Sequence, residues 1–256
     1  MKNRELVFEE MMKSKKYKDV NKDLVIKIVD EELPKYKNNN LCIKSVKNKL
    51  HQIHGAFIKE NSNKKTKELL KEKMYDDILK LHTSTLERFS FYGEFYRKIF
   101  FVTGVPNSIM DIACGYNPFA IKYMNLPDKF KYFAYDINEE TNTLLNFFFK
   151  TENYNAVSKT IDLSMNIPSD KCDIALVLKF LALMTQQNKE QTQKLLKGLN
   201  ANYIVVSFPT RTLTGLNKGM QKNYTNSFKE LIKKDFIILD ELVFENEVVF
   251  IIRKND

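Results

Sequence analysis

Three aspartates in the middle of this chain stand where carboxylates can hold a ligand. Asp111 lies in Ser108-Ile-Met-Asp-Ile-Ala113, Asp136 closes Tyr132-Phe-Ala-Tyr-Asp136, and Asp162 falls in Thr160-Ile-Asp-Leu163. The first two belong to short apolar runs with the pattern of buried strands, and the third follows the place of a third strand. In an open parallel sheet, ligands bind beyond the carboxyl ends of the strands, near the point where strand order reverses. A carboxylate at Asp136 can there accept hydrogen bonds from both hydroxyls of a ribose, and one at Asp162 can receive the amino group of an adenine. The competing assignment is that strand-end aspartates only cap the helices that follow them. The turn after Asp111, Ala113-Cys-Gly-Tyr-Asn-Pro118, carries a single glycine. A dinucleotide turn normally shows G-x-G-x-x-G, so that a pyrophosphate can approach the backbone. Its absence argues against a nicotinamide cofactor and for the phosphate-free sulfonium cofactor S-adenosylmethionine, whose methionine portion is all the loop must admit.

The elements that must position these residues follow from hydrophobic spacing. The first third reads as helices over Val7–Lys13, Leu24–Glu31 and Ile43–Ile58, with Pro34 ending the second. Polar Asn61–Lys67 reads as a connecting loop. Helical spacing resumes over Leu69–Leu81, and Thr83–Arg88 leads into Phe89–Phe101, where Gly93 weakens the case for one unbroken helix. After Pro106 the texture changes. Strands at Ser108–Ala113, Tyr132–Asp136, Cys172–Leu178 and Tyr203–Ser207 alternate with helices at Glu139–Lys150 and Lys189–Leu199. Phe236–Phe244 and Glu247–Arg253 flank Glu245-Asn246 as an antiparallel hairpin. Alternating strands and helices specify a doubly wound sheet, and a closing hairpin adds the one reversed strand of the class I methyltransferases. The expected fold is therefore α/β, a Rossmann-like mixed seven-stranded sheet preceded by an all-helical lobe, with the boundary placed between residues 1–75 and 76–256.

Charge separates the same two regions. Residues 1–75 carry 19 Lys/Arg against 11 Asp/Glu, and the remaining 181 carry 22 against 21, so nearly all of the net +9 sits in the first third. A basic lobe beside a near-neutral body suits a polyanion such as nucleic acid, because phosphates supply long-range attraction. A solvated lysine-rich surface is the plainer alternative. Cys42, Cys114 and Cys172 are far apart and odd in number, which favours buried free thiols in a reducing cytoplasm over disulfides or zinc. No run approaches the roughly 20 apolar residues of a membrane span, and Met1–Glu10 has no apolar segment of the secretory kind.

Four motifs occur in order: His82-Thr-Ser-Thr-Leu-Glu-Arg88, Asp111-Ile-Ala-Cys-Gly-Tyr-Asn-Pro118, Leu178-Lys-Phe-Leu181 and Ser207-Phe-Pro-Thr-Arg-Thr-Leu-Thr-Gly215. With Ser14-Lys-Lys-Tyr17 and Leu50-His-Gln-Ile-His-Gly-Ala56, they resemble the aminoglycoside-resistance 16S rRNA (guanine-1405, N7) methyltransferases over most of the chain. The resemblance implies a cofactor site in which Arg88 pairs with the cofactor carboxylate and His82, Thr83 and Ser84 line the same end. It further implies Ala113 in contact with the cofactor, Asp136 on the ribose, Asp162 and Leu163 around the adenine, Leu178 beneath and Gln187 at the side. Lys179, Arg211 and Lys218 become the candidates for holding the target nucleotide. For Arg88 the alternative is a surface ion pair with Glu87 or Glu94, and for the basic residues an ordinary solvated loop. Phe180 and Ala182 receive no role. His51 and His54 form an HxxH pair without a third ligand, so no metal is expected.

No catalytic acid or base is assigned, because guanine N7 carries a free lone pair and positioning is what its methylation requires. The implied partner is 16S rRNA in the assembled 30S subunit, acted on by a monomeric cytoplasmic enzyme. Competing functions are a methyltransferase for another RNA site or a small molecule, and a non-catalytic RNA-binding protein with a vestigial pocket.

Overall fold

The computed structural model describes residues 3–14, 16–51, 62–210 and 218–255, without the side chains of 62–63, 186–187 and 218–223. It opens with α1 (Arg4–Met12), α2 (Lys22–Glu32) and α3 (Asn39–Leu50). Each begins at an asparagine: the side chains of Asn3, Asn21 and Asn38 accept from the backbone N–H of Leu6, Leu24 and Leu41. Such a cap satisfies one of the amides that a helix start leaves unpaired. Val7 and Met11, Val25 and Val29, and Cys42, Val46 and Leu50 recur at four-residue spacing and close a core belonging to these three helices. Pro34 sits in a short 3₁₀ turn, Leu33–Lys35, immediately after α2, where the sequence places the stop.

Two expectations for the next stretch need correction. The polar segment read as a loop contains most of α4 (Ser62–Lys71), because Thr66 and Leu70, four apart, are both buried. Few apolar residues are needed when a hydroxyl can be satisfied inside, as Thr66 is by the Tyr116 phenol at 3.1 Å. The helix expected over Leu69–Leu81 is broken. Lys73 takes φ 56°, and the amides of Lys73 and Met74 return to the carbonyls of Leu70 and Leu69, a Schellman C-cap made without glycine. After it come α5 (Tyr75–Leu79), α6 (Thr83–Arg88) and α7 (Tyr92–Thr103). The segment Phe89–Phe101 is not one unbroken helix, but the break falls at Phe91, between a 3₁₀ turn (Phe89–Phe91) and α7, and not at Gly93, which lies in the first turn of α7.

The remainder is one sheet with helices on both faces. Its strands are β1 (Ser108–Ile112), β2 (Lys131–Asp136), β3 (Ala156–Thr160), β4 (Cys172–Leu178), β5 (Ala201–Pro209), β6 (Phe236–Val243) and β7 (Glu247–Lys254). Between them run α8 (Glu139–Thr151), α9 (Leu181–Gln187), α10 (Lys189–Gly198) and α11 (Lys218–Ile232). The order is β3-β2-β1-β4-β5-β7-β6, parallel except for β7, which pairs antiparallel with both neighbours. This is the expected mixed seven-stranded, Rossmann-like sheet. In β4, Ile174, Leu176 and Leu178 face one apolar layer, and Ala175 and Val177 the other. Such a doubly buried strand shows no polar alternation, as its sequence indicates. The order reverses between β1 and β4, so their carboxyl ends open a cleft. All three cysteines are buried and none forms a disulfide. No helix among the described residues is long and apolar enough to cross a membrane.

Candidate cofactor site

At the end of β1 the chain turns sharply. Ala113 has φ 53° and Gly115 φ 50°. A Cβ on Gly115 would lie 3.2 Å from His82 Nε2, so glycine here both permits the backbone angle and lets the imidazole pack over the turn. The turn is fixed from below by buried side chains. Asn117 Nδ2 and the Tyr132 hydroxyl donate to Asp111 Oδ2 at 2.8 and 2.7 Å, and Tyr96 donates to Asn117 Oδ1 at 3.0 Å. Burial pushes the Asp111 carboxyl up to about 7, with those donors and Arg88 pulling the other way.

Asp136 closes β2 and accepts the amides of Gly115, through Oδ2, and Asn138, through Oδ1, both at 2.9 Å. It therefore ties the β1 turn to the β2 turn. The N-cap of α8 is Asn138, so Asp136 is not the helix cap that the competing assignment required. Asp162 follows β3. Its Oδ1 accepts the Ser164 amide at 2.8 Å, while its Oδ2 is buried without a hydrogen-bond partner among the described residues. A buried acceptor with no donor is costly, and Asp162 is among the residues that line a cavity of about 440 Å³.

His82, Ser84, Arg88, Ala113, Asp136, Asp162, Leu163, Leu178 and Lys179 all line this cavity. Ser84 Oγ lies 3.0 Å from His82 Nδ1. Thr83, in the first turn of α6, is not among the lining residues. Phe180, given no role from sequence, is. Gln187 ends α9 and Lys218 begins α11, but their side chains lie outside the described residues, as does Arg211 entirely. His51 follows α3 with Nδ1 3.0 Å from Lys16 Nζ, and His54 is outside the description. No metal-binding cluster occurs among the described residues.

Neither Glu87 nor Glu94 is the partner of Arg88. The Arg88 side chain is 1% exposed and grips Glu247 of β7, which is 0% exposed, through Nε and Nη2 at 2.7 and 2.8 Å. Lys179 Nζ pairs with Glu87 and lies 3.6 Å from Glu247. Burial opposes both charges of the Arg88–Glu247 pair, yet their mutual attraction outweighs it, raising the guanidinium pKa and holding the Glu247 carboxyl below its ordinary range. Sequence reasoning missed Glu247, which looks like an ordinary hairpin acid. It also missed the opposite wall, where Leu24, Lys27, Ile28 and Glu31 of α2 and Lys49 of α3 face the cleft.

The model for the family described as "Ribosomal RNA methyltransferase (FmrO)" matches residues 13–251. The chain belongs to that family. As an FmrO-family methyltransferase it is 30% identical over 245 residues to a 16S rRNA (guanine(1405)-N(7))-methyltransferase of Serratia marcescens, covering 96% of each chain. It is also 30% identical over 274 residues to the enzyme of that name from Proteus mirabilis, covering 98% of this chain and 97% of the other. Among solved structures, this FmrO-family chain superposes on the 16S rRNA methyltransferase RmtF, in complex with S-adenosyl-L-homocysteine, with TM-score 0.92. The two are 27% identical, and the match covers 100% of this chain and 99% of RmtF.

Proposed function

We propose that the chain transfers a methyl group from S-adenosylmethionine to N7 of guanine 1405 in 16S rRNA of the 30S subunit, conferring aminoglycoside resistance. The observation that carries the cofactor assignment is the pair Asp136 and Asp162 on one cavity, the latter with a buried oxygen that has no hydrogen-bond partner among the described residues. The target nucleotide rests on the relatives' named activity.

When bound, S-adenosylmethionine supplies an electrophilic methyl group on a sulfonium sulfur. Asp136 holds the ribose hydroxyls with acceptor capacity beyond its two backbone donors. Asp162 would receive the adenine amino group, and Leu163 and Leu178, which line the same cavity, would pack around the ring. Arg88 lines the cavity with His82 and Ser84, and its guanidinium N–H groups not engaged by Glu247 would be the donors for the methionine carboxylate. The single-glycine turn at Ala113–Pro118 admits the methionine portion. None of these residues moves a proton to or from the target, because guanine N7 presents a lone pair at neutral pH. The protein's contribution is alignment in a water-poor cleft. Lys179, at the mouth beside Glu87, holds the target nucleotide together with Arg211 and Lys218, and the guanine is extruded from its stack to reach them.

Residues 1–75 form the basic rRNA-docking lobe and 76–256 the methyltransferase domain, and the monomeric enzyme docks on the folded small subunit by shape and phosphate contact. The test is primer extension on 16S rRNA after incubating purified 30S subunits with the protein and S-adenosylmethionine, with chemical cleavage at 7-methylguanosine. A new stop at guanine 1405 is expected. Cofactor binding by calorimetry without that stop would sink the target assignment, and equal methylation of short helix fragments would sink the docking model.

A further inference from the structure

The helical lobe grips both loops that carry the acidic residues of the cofactor site. After β2, the Asn21 amide donates to the Ile137 carbonyl at 3.0 Å, and the Glu139 amide to the Asp19 carbonyl at 2.8 Å. Val20 and Asn138 form an isolated antiparallel bridge, and the Ile137 side chain packs against the lobe's own core. These contacts bracket Asp136. After β3, Lys27 Nζ donates to Ser164 Oγ at 3.0 Å across 137 residues of sequence, and the Ser164 amide donates to Asp162 Oδ1 at 2.8 Å. Leu24 and Ile28, one α-helical turn apart on the same face of α2, complete the wall opposite.

We infer that Lys27 is a positioning residue for the adenosyl group, and that the lobe is through it a structural half of the cofactor site. The inference deepens the function proposed above and rests on it. With Oδ1 tied to the Ser164 amide, the direction in which Asp162 Oδ2 points depends on where the Ser164 turn is held. That turn is Asp162–Asn166, closed by Met165 and Asn166 amides on the Asp162 carbonyl. Lys27 holds it from the lobe. Free of that contact, the turn can drift and the Asp162 carboxylate loses its fixed place on the cavity wall, where the adenine amino group would bind. Because binding couplings are reciprocal, whatever docks on the lobe and stiffens α2 also tightens cofactor binding, and the cofactor favours docking in return.

The test is calorimetry of S-adenosylhomocysteine on the full-length protein and its Lys27→Ala and Lys27→Arg variants, alongside S-inosylhomocysteine, which has a carbonyl oxygen in place of the adenine amino group. Lys27→Ala is expected to weaken S-adenosylhomocysteine about fivefold, the scale of one net hydrogen bond. S-inosylhomocysteine, weak on the parent protein, should change less than about twofold, and Lys27→Arg should restore the parent affinity for S-adenosylhomocysteine. Thermal midpoints of both variants should match the parent. Unchanged S-adenosylhomocysteine affinity in Lys27→Ala overturns the inference. Equal weakening of both ligands does so as well, since it makes Lys27 a general strut. If the parent protein binds neither ligand, the cofactor reading itself falls and takes the inference with it.

Discussion

The two ends of the cleft handle buried charge in opposite ways. At the α6 end, Arg88, Glu247, Lys179 and Glu87 form a cluster in which each charge faces an opposite one, with the central pair sealed from solvent. At the β3 end, Asp162 is also buried and lines the cavity, but one of its oxygens has no hydrogen-bond partner among the described residues. A completed cluster fixes the framework, whereas an incomplete one leaves affinity for a ligand. The difference predicts that substitution of Glu247, the member of the first cluster given no ligand role, acts on stability, and that substitutions at the second end act on binding.

The largest expected effect is at Glu247. Glu247→Gln keeps the shape but leaves Arg88 as a buried cation without its counter-charge, which should cost about 3–5 kcal/mol in urea unfolding. The Arg88→Met/Glu247→Leu pair should recover most of that loss, because a desolvated ion pair often contributes little net stability over an apolar replacement. Loss in the double variant equal to that in Glu247→Gln would show that the pair, rather than the orphaned charge, carries the stability.

Next comes Asp111, beneath the turn that joins the two ends. Its carboxyl holds a proton up to about pH 7 when folded but only to about pH 4 when unfolded. Folding therefore takes up a proton in that window, and Asp111 makes stability fall as pH rises from about 4 to about 7, by an amount on the order of 4 kcal/mol. Asp111→Asn should flatten this part of the stability–pH curve and be no less stable than the parent at pH 8. A variant curve parallel to the parent's would place the titration elsewhere.

Which parts of this arrangement the sequence revealed follows from how far apart the partners lie. Asp111, Asp136 and Asp162 stand at or after strands, and strand periodicity plus the rule for parallel sheets places them on one cleft without any knowledge of contacts, whereas Ala113, Leu163 and Leu178 came only through the family resemblance. Arg88 was found through its motif, but its partner Glu247 is 159 residues away and looks like any acid that starts a strand after a turn. Lys27 is hidden for the same reason, its role depending on Ser164 across the lobe boundary. The α4 segment was misread because a helix whose buried face includes Thr66 shows little hydrophobic period. Residues whose role is set by their place on an element were legible, and those whose role is set by a distant partner were not.

The open end should respond to Asp136→Asn and Asp162→Asn in binding rather than in folding. Neutralising Asp136 removes a charge-assisted acceptor for the ribose and should weaken S-adenosylhomocysteine by about tenfold or more. Asp162→Asn should weaken it by less, because only Oδ2 lacks a partner and Oδ1 keeps its backbone donor. Calorimetry beside urea unfolding separates the two quantities. A stability loss at Asp162 as large as that of Glu247→Gln would erase the contrast between the ends.

The smallest effect sharpens the comparison at its midpoint, the turn itself. Ala113 holds φ 53°, a left-handed angle that costs a residue with a Cβ roughly 1–2 kcal/mol. Glycine adopts that angle without strain but gives the unfolded chain more freedom, a penalty of about 0.4–1 kcal/mol. The two partly cancel, so Ala113→Gly should stabilise the fold by about 0.5–1 kcal/mol. Ala113 lies on the cavity wall but supplies only a methyl group from its side chain, so S-adenosylhomocysteine affinity should stay within about twofold, a change worth less than one net hydrogen bond. If affinity instead drops by an order of magnitude while stability rises, the methyl group is a binding contact, and the strain at Ala113 is retained for the ligand rather than for the turn.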